Sequence, residues 1–182
     1  MKISPTEIPD VLLIEPHVFG DERGFFLESY REEDLLILGV DCHFVQDNHS
    51  GSKQGVLRGL HYQIRQPQGK LVRALRGQIY DTVVDLRRSS ATFGKWVGRT
   101  LTEENKHQLY IPAGFAHGFL VLSDWAEILY KATDYYAPEW ERTLLWNDPA
   151  LAIEWPLVPG MAPALSVKDA RGLPLSQAES YQ

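Results

Sequence analysis

The chain has 182 residues, 44% hydrophobic and 23% charged, which is the composition of an ordinary globular protein with a sizeable core. A net charge of −6 argues against nonspecific nucleic-acid binding, because that needs a basic surface to displace counterions. No apolar run approaches the roughly 20 residues of a membrane helix, and the one cysteine, Cys42, leaves no internal disulfide to form.

No repeat, low-complexity tract or linker divides the sequence, so one domain over 1–182 is expected. No signal-peptide succession opens it, and cysteine usage makes the cytoplasm the natural location. Cys42 reads as a small core residue rather than a nucleophile.

In chain order, the first credible element is a helix. Ser29 with Glu32 fits a capping box, Leu35, Leu36 and Leu38 follow, and Gly39 can end it. Next come Val56-Leu57-Arg58-Gly59-Leu60-His61-Tyr62-Gln63 and Gly69-Lys70-Leu71-Val72, the latter opening a buried strand. Strands are predicted at Lys70–Leu75, Ile79–Leu86, Lys95–Leu101, Gln108–Ile111, Gly118–Leu122 and Ile128–Thr133, bounded by glycine, proline and polar turns. Short strands at intervals of about ten residues suggest an antiparallel sandwich, jelly roll or barrel. By period two, Asp81 and Asp85 share one strand face with Ile79 and Val83, which implies a polar barrel interior and a site. From Pro149 onward lie five of the eleven prolines, so turns and short helices should wrap the barrel. Its polar cluster Ser166-Val167-Lys168-Asp169 reads as solvated.

The chemistry concentrates between Arg58 and Lys70. Arg58 can grip a phosphate or carboxylate with its planar fork. His61 is the residue type whose ordinary pKa suits proton transfer near neutrality. Lys70 opens an apolar strand, where an ammonium is costly unless something anionic meets it. An anion clamp, a base and a buried cation suggest catalysis on an anionic substrate, against the alternative of a surface loop with an ordinary salt bridge.

The segment Pro112-Ala113-Gly114-Phe115-Ala116-His117 fits PxGxxH, the second motif of the cupin superfamily, and Gly55, His61 and Gly77 fall at glycine and histidine positions of the first. The resemblance implies a mainly all-β fold, a cupin-type jelly-roll β-barrel with a few short helices. It also shows a departure. Gln63 stands where a metal-binding cupin has its second histidine, and Lys70 where it has a glutamate. Such a site needs three or four neutral or anionic ligands, so no metal is expected.

Further motifs narrow the resemblance. Phe19-Gly20-Asp21-Glu22-Arg23-Gly24-Phe25-Phe26, Gln46-Asp47-Asn48-His49-Ser50, Leu57-Arg58-Gly59-Leu60-His61, Gly114 to Phe119, Tyr130-Lys131-Ala132-Thr133 and Leu145-Trp146-Asn147-Asp148 together resemble the dTDP-4-dehydrorhamnose 3,5-epimerase family, from about Ile8 to Asp169. That family's substrate is a dTDP-4-keto-6-deoxyhexose. Inverting a carbon beside a ketone needs a base, an acid on the other face and a partner for the enolate oxygen, with no redox cofactor.

By the resemblance, His61 is the base, Asp169 its orienting partner, Tyr130 the general acid and Lys70 the enolate stabiliser. Arg23, Arg58 and Lys168 are implied contacts to phosphate or sugar. Glu28, Gln46, Asp47 and Asn48 are implied polar contacts that include the thymine, Tyr136 the stacking aromatic, and His117 and Glu141 further binding positions. The residues themselves leave alternatives. Tyr130 suits strand packing, Tyr135 suits stacking as well as Tyr136, and His117 suits a barrel histidine held by Asp81. The loops Ile64–Gln68 and Val158–Ala164 match no motif. The resemblance also implies a homodimer with exchanged strands. Epimerisation at one carbon only, ketoisomerisation, a metal-dependent cupin oxygenase and a sugar-binding cupin without turnover are the competing functions.

Overall fold

The computed structural model describes residues 1–37, 39, 40, 43–158 and 160–182. Cys42 and Leu38 lie outside the described residues. Two antiparallel sheets face each other. The first is built from β1 (Lys2–Pro5), β2 (Leu12–Glu15), β5 (Gln46–Lys53), β7 (Lys70–Arg76), β10 (Gln108–Ile111) and β12 (Trp125–Ala132), in the order β1-β2-β10-β7-β12-β5. The second runs β13-β6-β11-β8-β9, from β6 (Leu57–Gln63), β8 (Gln78–Asp85), β9 (Trp96–Thr102), β11 (Phe115–Val121) and β13 (Glu141–Thr143). The jelly roll implied by the cupin resemblance, one of the three architectures the strand spacing suggests, is present; β10 has the predicted ends, and every other predicted strand is found with one or both ends moved by up to three residues. The largest shifts are at β11, which starts at Phe115 rather than Gly118, and at β12, which starts at Trp125 rather than Ile128.

Period two explains the layers. Val72 and Ala74 of β7, Ile128 of β12, Ile79 and Val83 of β8 and Phe115 and Phe119 of β11 meet in the core between the sheets. The alternate residues Leu60 and Tyr62 of β6, Val84 of β8 and Ala116 of β11 point outward and are covered by Trp155, Leu175 and Tyr181 of the C-terminal segment. Leu71 and Tyr110 on the outside of the first sheet are covered by Leu35 and its neighbours. Towards one end the inward positions turn polar: His61 and Gln63 on β6, Lys70 on β7, Asp81 on β8, His117 on β11, Tyr130 on β12 and Asn48 on β5. That end is the site.

The helix α1 spans only Glu32–Leu36, with Arg31 as its extended N-cap and no side-chain cap. The expected Ser29 capping box does not form. The Ser29 carbonyl instead accepts a hydrogen bond from Gln108 Nε2 at 2.6 Å, which draws the chain towards β10 before the helix begins. Three acids in its first turn favour the positive helix end instead. Gly39 does end it, at φ 77°, with its N–H donated to the Leu36 carbonyl.

The hairpin of β3 (Val18–Asp21) and β4 (Gly24–Leu27) forms a separate two-stranded sheet. Its Phe19, Phe25 and Phe26 are 58%, 61% and 70% exposed. Among the described residues no helix is long and apolar enough to cross a membrane.

Candidate active site

A cavity of about 400 Å³ opens at the polar end of the barrel. Strands β6 and β11 can lie close there because both carry glycine. A Cβ on Gly59, at φ 122°, would stand 2.6 Å from the Gly118 Cα, so no larger residue fits. The approach sets His61 directly opposite His117 in register.

Each histidine has its own carboxylate. His61 Nε2 lies 2.5 Å from Asp169 Oδ1, and His117 Nε2 lies 2.9 Å from Asp81 Oδ2. With its Nε2 hydrogen directed at Asp169, His61 keeps the lone pair of Nδ1 free for a proton. Asp169 is only 3% exposed, so the solvated reading of its segment is wrong for this residue. Ser166 Oγ donates to Asp169 Oδ2 at 2.7 Å, and the Gly59 N–H points at Oδ1 at 3.4 Å. Burial pushes the Asp169 carboxyl up, but the hydrogen bonds from His61 and Ser166 outweigh it and hold the group below the usual range. Burial also lowers the His117 pKa despite Asp81, so His117 favours the neutral form.

Lys70 is 9% exposed and lines the cavity, with its ammonium 5.9 Å from the centre of the Tyr130 ring. Desolvation lowers its pKa to about 8, against the opposing pull of Asp81 and Glu141. Asp81 Oδ1 is buried and has no hydrogen-bond partner among the described residues. Tyr130 lines the same cavity half-buried, and burial raises its phenol pKa, which keeps it a proton donor. An imidazole, a phenol and a cation therefore converge on one space.

The mouth is polar and cationic. Arg58 is held by Ser52 Oγ, at 3.1 Å from Nε and 2.9 Å from Nη2, and makes no ion pair among the described residues. Lys168 Nζ lies 2.8 Å from Glu141 Oε1, and the Tyr136 hydroxyl donates to Glu141 Oε2 at 2.9 Å. Burial raises the Glu141 carboxyl, but Lys168 and Tyr136 hold it below its ordinary value. The ring of Tyr136 is 53% exposed beside this opening, whereas Tyr135 does not line it. Gln46 Nε2 donates to Asn48 Oδ1 at 2.9 Å, and the buried Asn48 Nδ2 has no hydrogen-bond partner among the described residues.

Three expected binding residues are not brought into the cavity of this chain. Asp47 points off the other face of β5 and binds Lys131 Nζ at 3.0 Å, as alternation along a strand requires. Arg23 sits at the turn of the β3–β4 hairpin, gripping Asp21, and Glu28 is exposed beyond that hairpin. Asp85, grouped with Asp81 by its strand face, serves another purpose. It binds Arg87, Ser90 and Thr92 and anchors the turn after β8. Sequence reasoning missed the roles of Ser166 and Gln63 in the site. Gln63 was legible as an inward residue of β6, in phase with His61.

The residues present do not suit a resident divalent metal. Between His61 and His117 stand an amide and an ammonium rather than a third histidine and a carboxylate. Among the described residues no three His, Cys, Asp or Glu side chains gather to hold one.

Acid and base groups set round a fixed cation are equipment for moving protons beside a carbonyl, and within a jelly roll they define a cupin-type epimerase. The family model described as dTDP-4-dehydrorhamnose 3,5-epimerase matches residues 5–177. A dTDP-4-dehydrorhamnose 3,5-epimerase of Pseudomonas aeruginosa is 59% identical over 100% of this chain and 99% of its own length. The crystal structure of a dTDP-6-deoxy-D-glucose-3,5-epimerase from Legionella pneumophila in complex with dTDP-4-keto-L-rhamnose superposes with a TM-score of 0.94, at 51% identity, covering 98% of this chain and 94% of that one. A 3'-monoepimerase from Streptomyces bikiniensis in complex with dTDP-quinovose gives 0.88 at 35% identity, over 95% and 87% of the two chains. The chain belongs to the dTDP-4-dehydrorhamnose 3,5-epimerase family.

Proposed function

We propose that this enzyme inverts C3 and C5 of dTDP-4-dehydro-6-deoxy-D-glucose to give dTDP-4-dehydro-L-rhamnose, on the route to dTDP-L-rhamnose. At each carbon His61 removes the proton, and the electron pair moves through the new C=C bond onto the C4 oxygen. Lys70 neutralises that enolate oxygen. As the ketone re-forms, Tyr130 returns a proton to the opposite face, so atoms balance and only configuration changes. The imidazolium and phenolate left behind reset by exchange with water. The carbons on either side of C4 share its oxygen, so one cation serves both inversions. Asp169 supports the imidazolium, as in other carboxylate–histidine pairs.

Arg58 and Lys168 bind the diphosphate by fork and point charge. Gln46 and Asn48 meet the thymine edge, Tyr136 stacks on its face, and His117 and Glu141 contact the substrate from the barrel side. A homodimer completes the site. The exposed aromatic hairpin crosses to a second copy and carries Arg23 and Glu28 to its nucleotide. The enzyme works in the cytoplasm as one catalytic domain, without a cofactor.

The observation that carries this reading is the His61–Asp169 pair at 2.5 Å, in the cavity lined also by Lys70 and Tyr130. The test is conversion of dTDP-4-dehydro-6-deoxy-D-glucose in deuterium oxide, followed by NMR. Deuterium should enter at C3 and at C5. Label at one carbon only would reassign the enzyme as a monoepimerase, and no label would remove the epimerase reading.

A further inference from the structure

Gln63 is 4% exposed and two residues beyond the proposed base on the inward face of β6, yet proton transfer gives an amide nothing to do. Its side chain is fully engaged elsewhere. Oε1 accepts the Ala137 N–H at 2.9 Å, while Nε2 donates to the Tyr135 carbonyl at 3.3 Å and to the Gln66 carbonyl at 2.7 Å. Tyr136 therefore hangs between two peptide groups that are both tied to one amide. Its own N–H is donated to Gln46 Oε1 at 3.0 Å, so three consecutive residues of this loop are fixed by glutamines.

The ring that follows from this backbone is the exposed one at the cavity mouth. An aromatic with half its surface in water has little packing to hold it, so its direction comes from the main chain at one end and from the hydroxyl's bond to Glu141 Oε2 at the other. From this we propose that Gln63 is a positioning residue for nucleotide recognition: it holds Tyr136 where its ring meets the base, and it ties the 64–68 loop to the same place. The inference rests on the reading of Tyr136 as the stacking residue. A prearranged ring spares the loop the ordering cost that binding otherwise carries. Only an amide of this length offers an acceptor and a paired donor at once. A glutamate keeps the acceptor for Ala137 but turns a carboxylate oxygen towards two carbonyls, and a methionine loses all three bonds.

The anchor extends further. The Gln63 carbonyl accepts the Tyr181 hydroxyl at 2.6 Å, so the strand is fixed from outside by the C-terminal segment while its side chain fixes the loop within.

The test compares dTDP with inorganic pyrophosphate by calorimetry on the full-length enzyme. Gln63→Met should weaken dTDP about tenfold, leave pyrophosphate within about twofold, and raise KM while kcat changes little. On a Tyr136→Ala background the same substitution should add less than about twofold, because its effect passes through that ring. Equal losses for both ligands, full additivity with Tyr136→Ala, or unchanged dTDP affinity would each overturn the proposal. If Gln63→Met does not fold, Gln63→Glu, which keeps the Ala137 bond, should give an intermediate loss confined to dTDP, and wild-type affinity there overturns it as well. Unchanged dTDP affinity in Tyr136→Ala alone would instead remove the stacking assignment on which the inference rests.

Discussion

The Lys70 ammonium and the Tyr130 ring share one cavity, 5.9 Å apart, and no carboxylate lies within ion-pair distance of that ammonium among the described residues. A buried cation without a direct counterion is lost easily on the alkaline side, and its pKa is lowered to about 8 by desolvation. The activating form is the protonated one, so kcat/KM should fall as pH rises through about 8. The limb in kcat should lie higher, because bound diphosphate and enolate favour the charge. The stability effect has the opposite sign. Between about 8 and the ordinary lysine value the unfolded chain holds the proton that the folded one has shed, so this residue's contribution to stability rises with pH. Lys70→Met should cost about 10²–10³ in kcat while leaving the fold at least as stable, as pH–rate profiles and urea melts will read.

Loss of the base is distinguishable from loss of its support. His61→Ala should abolish solvent exchange at both carbons and leave dTDP affinity within about threefold, since the nucleotide contacts lie elsewhere. Asp169→Asn should keep the site assembled but lower kcat by about 10²–10⁴ through the wrong tautomer and an unsupported imidazolium. Exchange retained in His61→Ala would move the base to another residue.

Removing one hydroxyl separates the two proton transfers. Tyr130→Phe should still release substrate protons to solvent, while epimerised product falls by about 10²-fold or more. NMR of the recovered substrate reads both quantities in one experiment, and undiminished product would return Tyr130 to a packing role.

The hairpin makes a quaternary prediction. Arg23→Ala should weaken dTDP binding although Arg23 lies outside its own chain's cavity, and Phe26→Asp should shift sedimentation towards the monomer with loss of activity. Unchanged dTDP affinity in Arg23→Ala would remove the exchanged contact.

A last prediction concerns the Asp85 anchor rather than the chemistry. Burial opposes its ionisation, but Arg87, Thr92 and Ser90 bring its pKa down to about 2. Its contribution to stability is therefore complete above the ordinary aspartate value and is lost as pH falls towards about 2. Asp85→Asn leaves Arg87 facing an amide and should cost about 3 kcal/mol near neutral pH, measured as a lower urea midpoint with an unchanged slope.

Legibility followed burial. Strands β7 to β12 were readable because alternate residues face a core, whereas β5, Gln46–Lys53, carries no apolar alternation at all and was found only as a motif. The Ser29 cap failed because a distant strand captured the Ser29 backbone, which no local pattern announces. Asp81 showed itself as an acid in phase with core residues, but the same pattern included Asp85, whose partners lie on the following turn. Asp169 had no signal of its own, and only the family resemblance singled it out from an apparently solvated cluster. The same resemblance could name Arg23 and Glu28 but not say that this chain's own cavity lies apart from them.

His61 and Asp169 are separated by 108 positions along the chain. A ribosome making this protein delivers the histidine long before the carboxylate that completes it. Barrel strands can pair before the tail of the nascent chain arrives, and the His61–Asp169 contact forms only when that tail folds back across the second sheet.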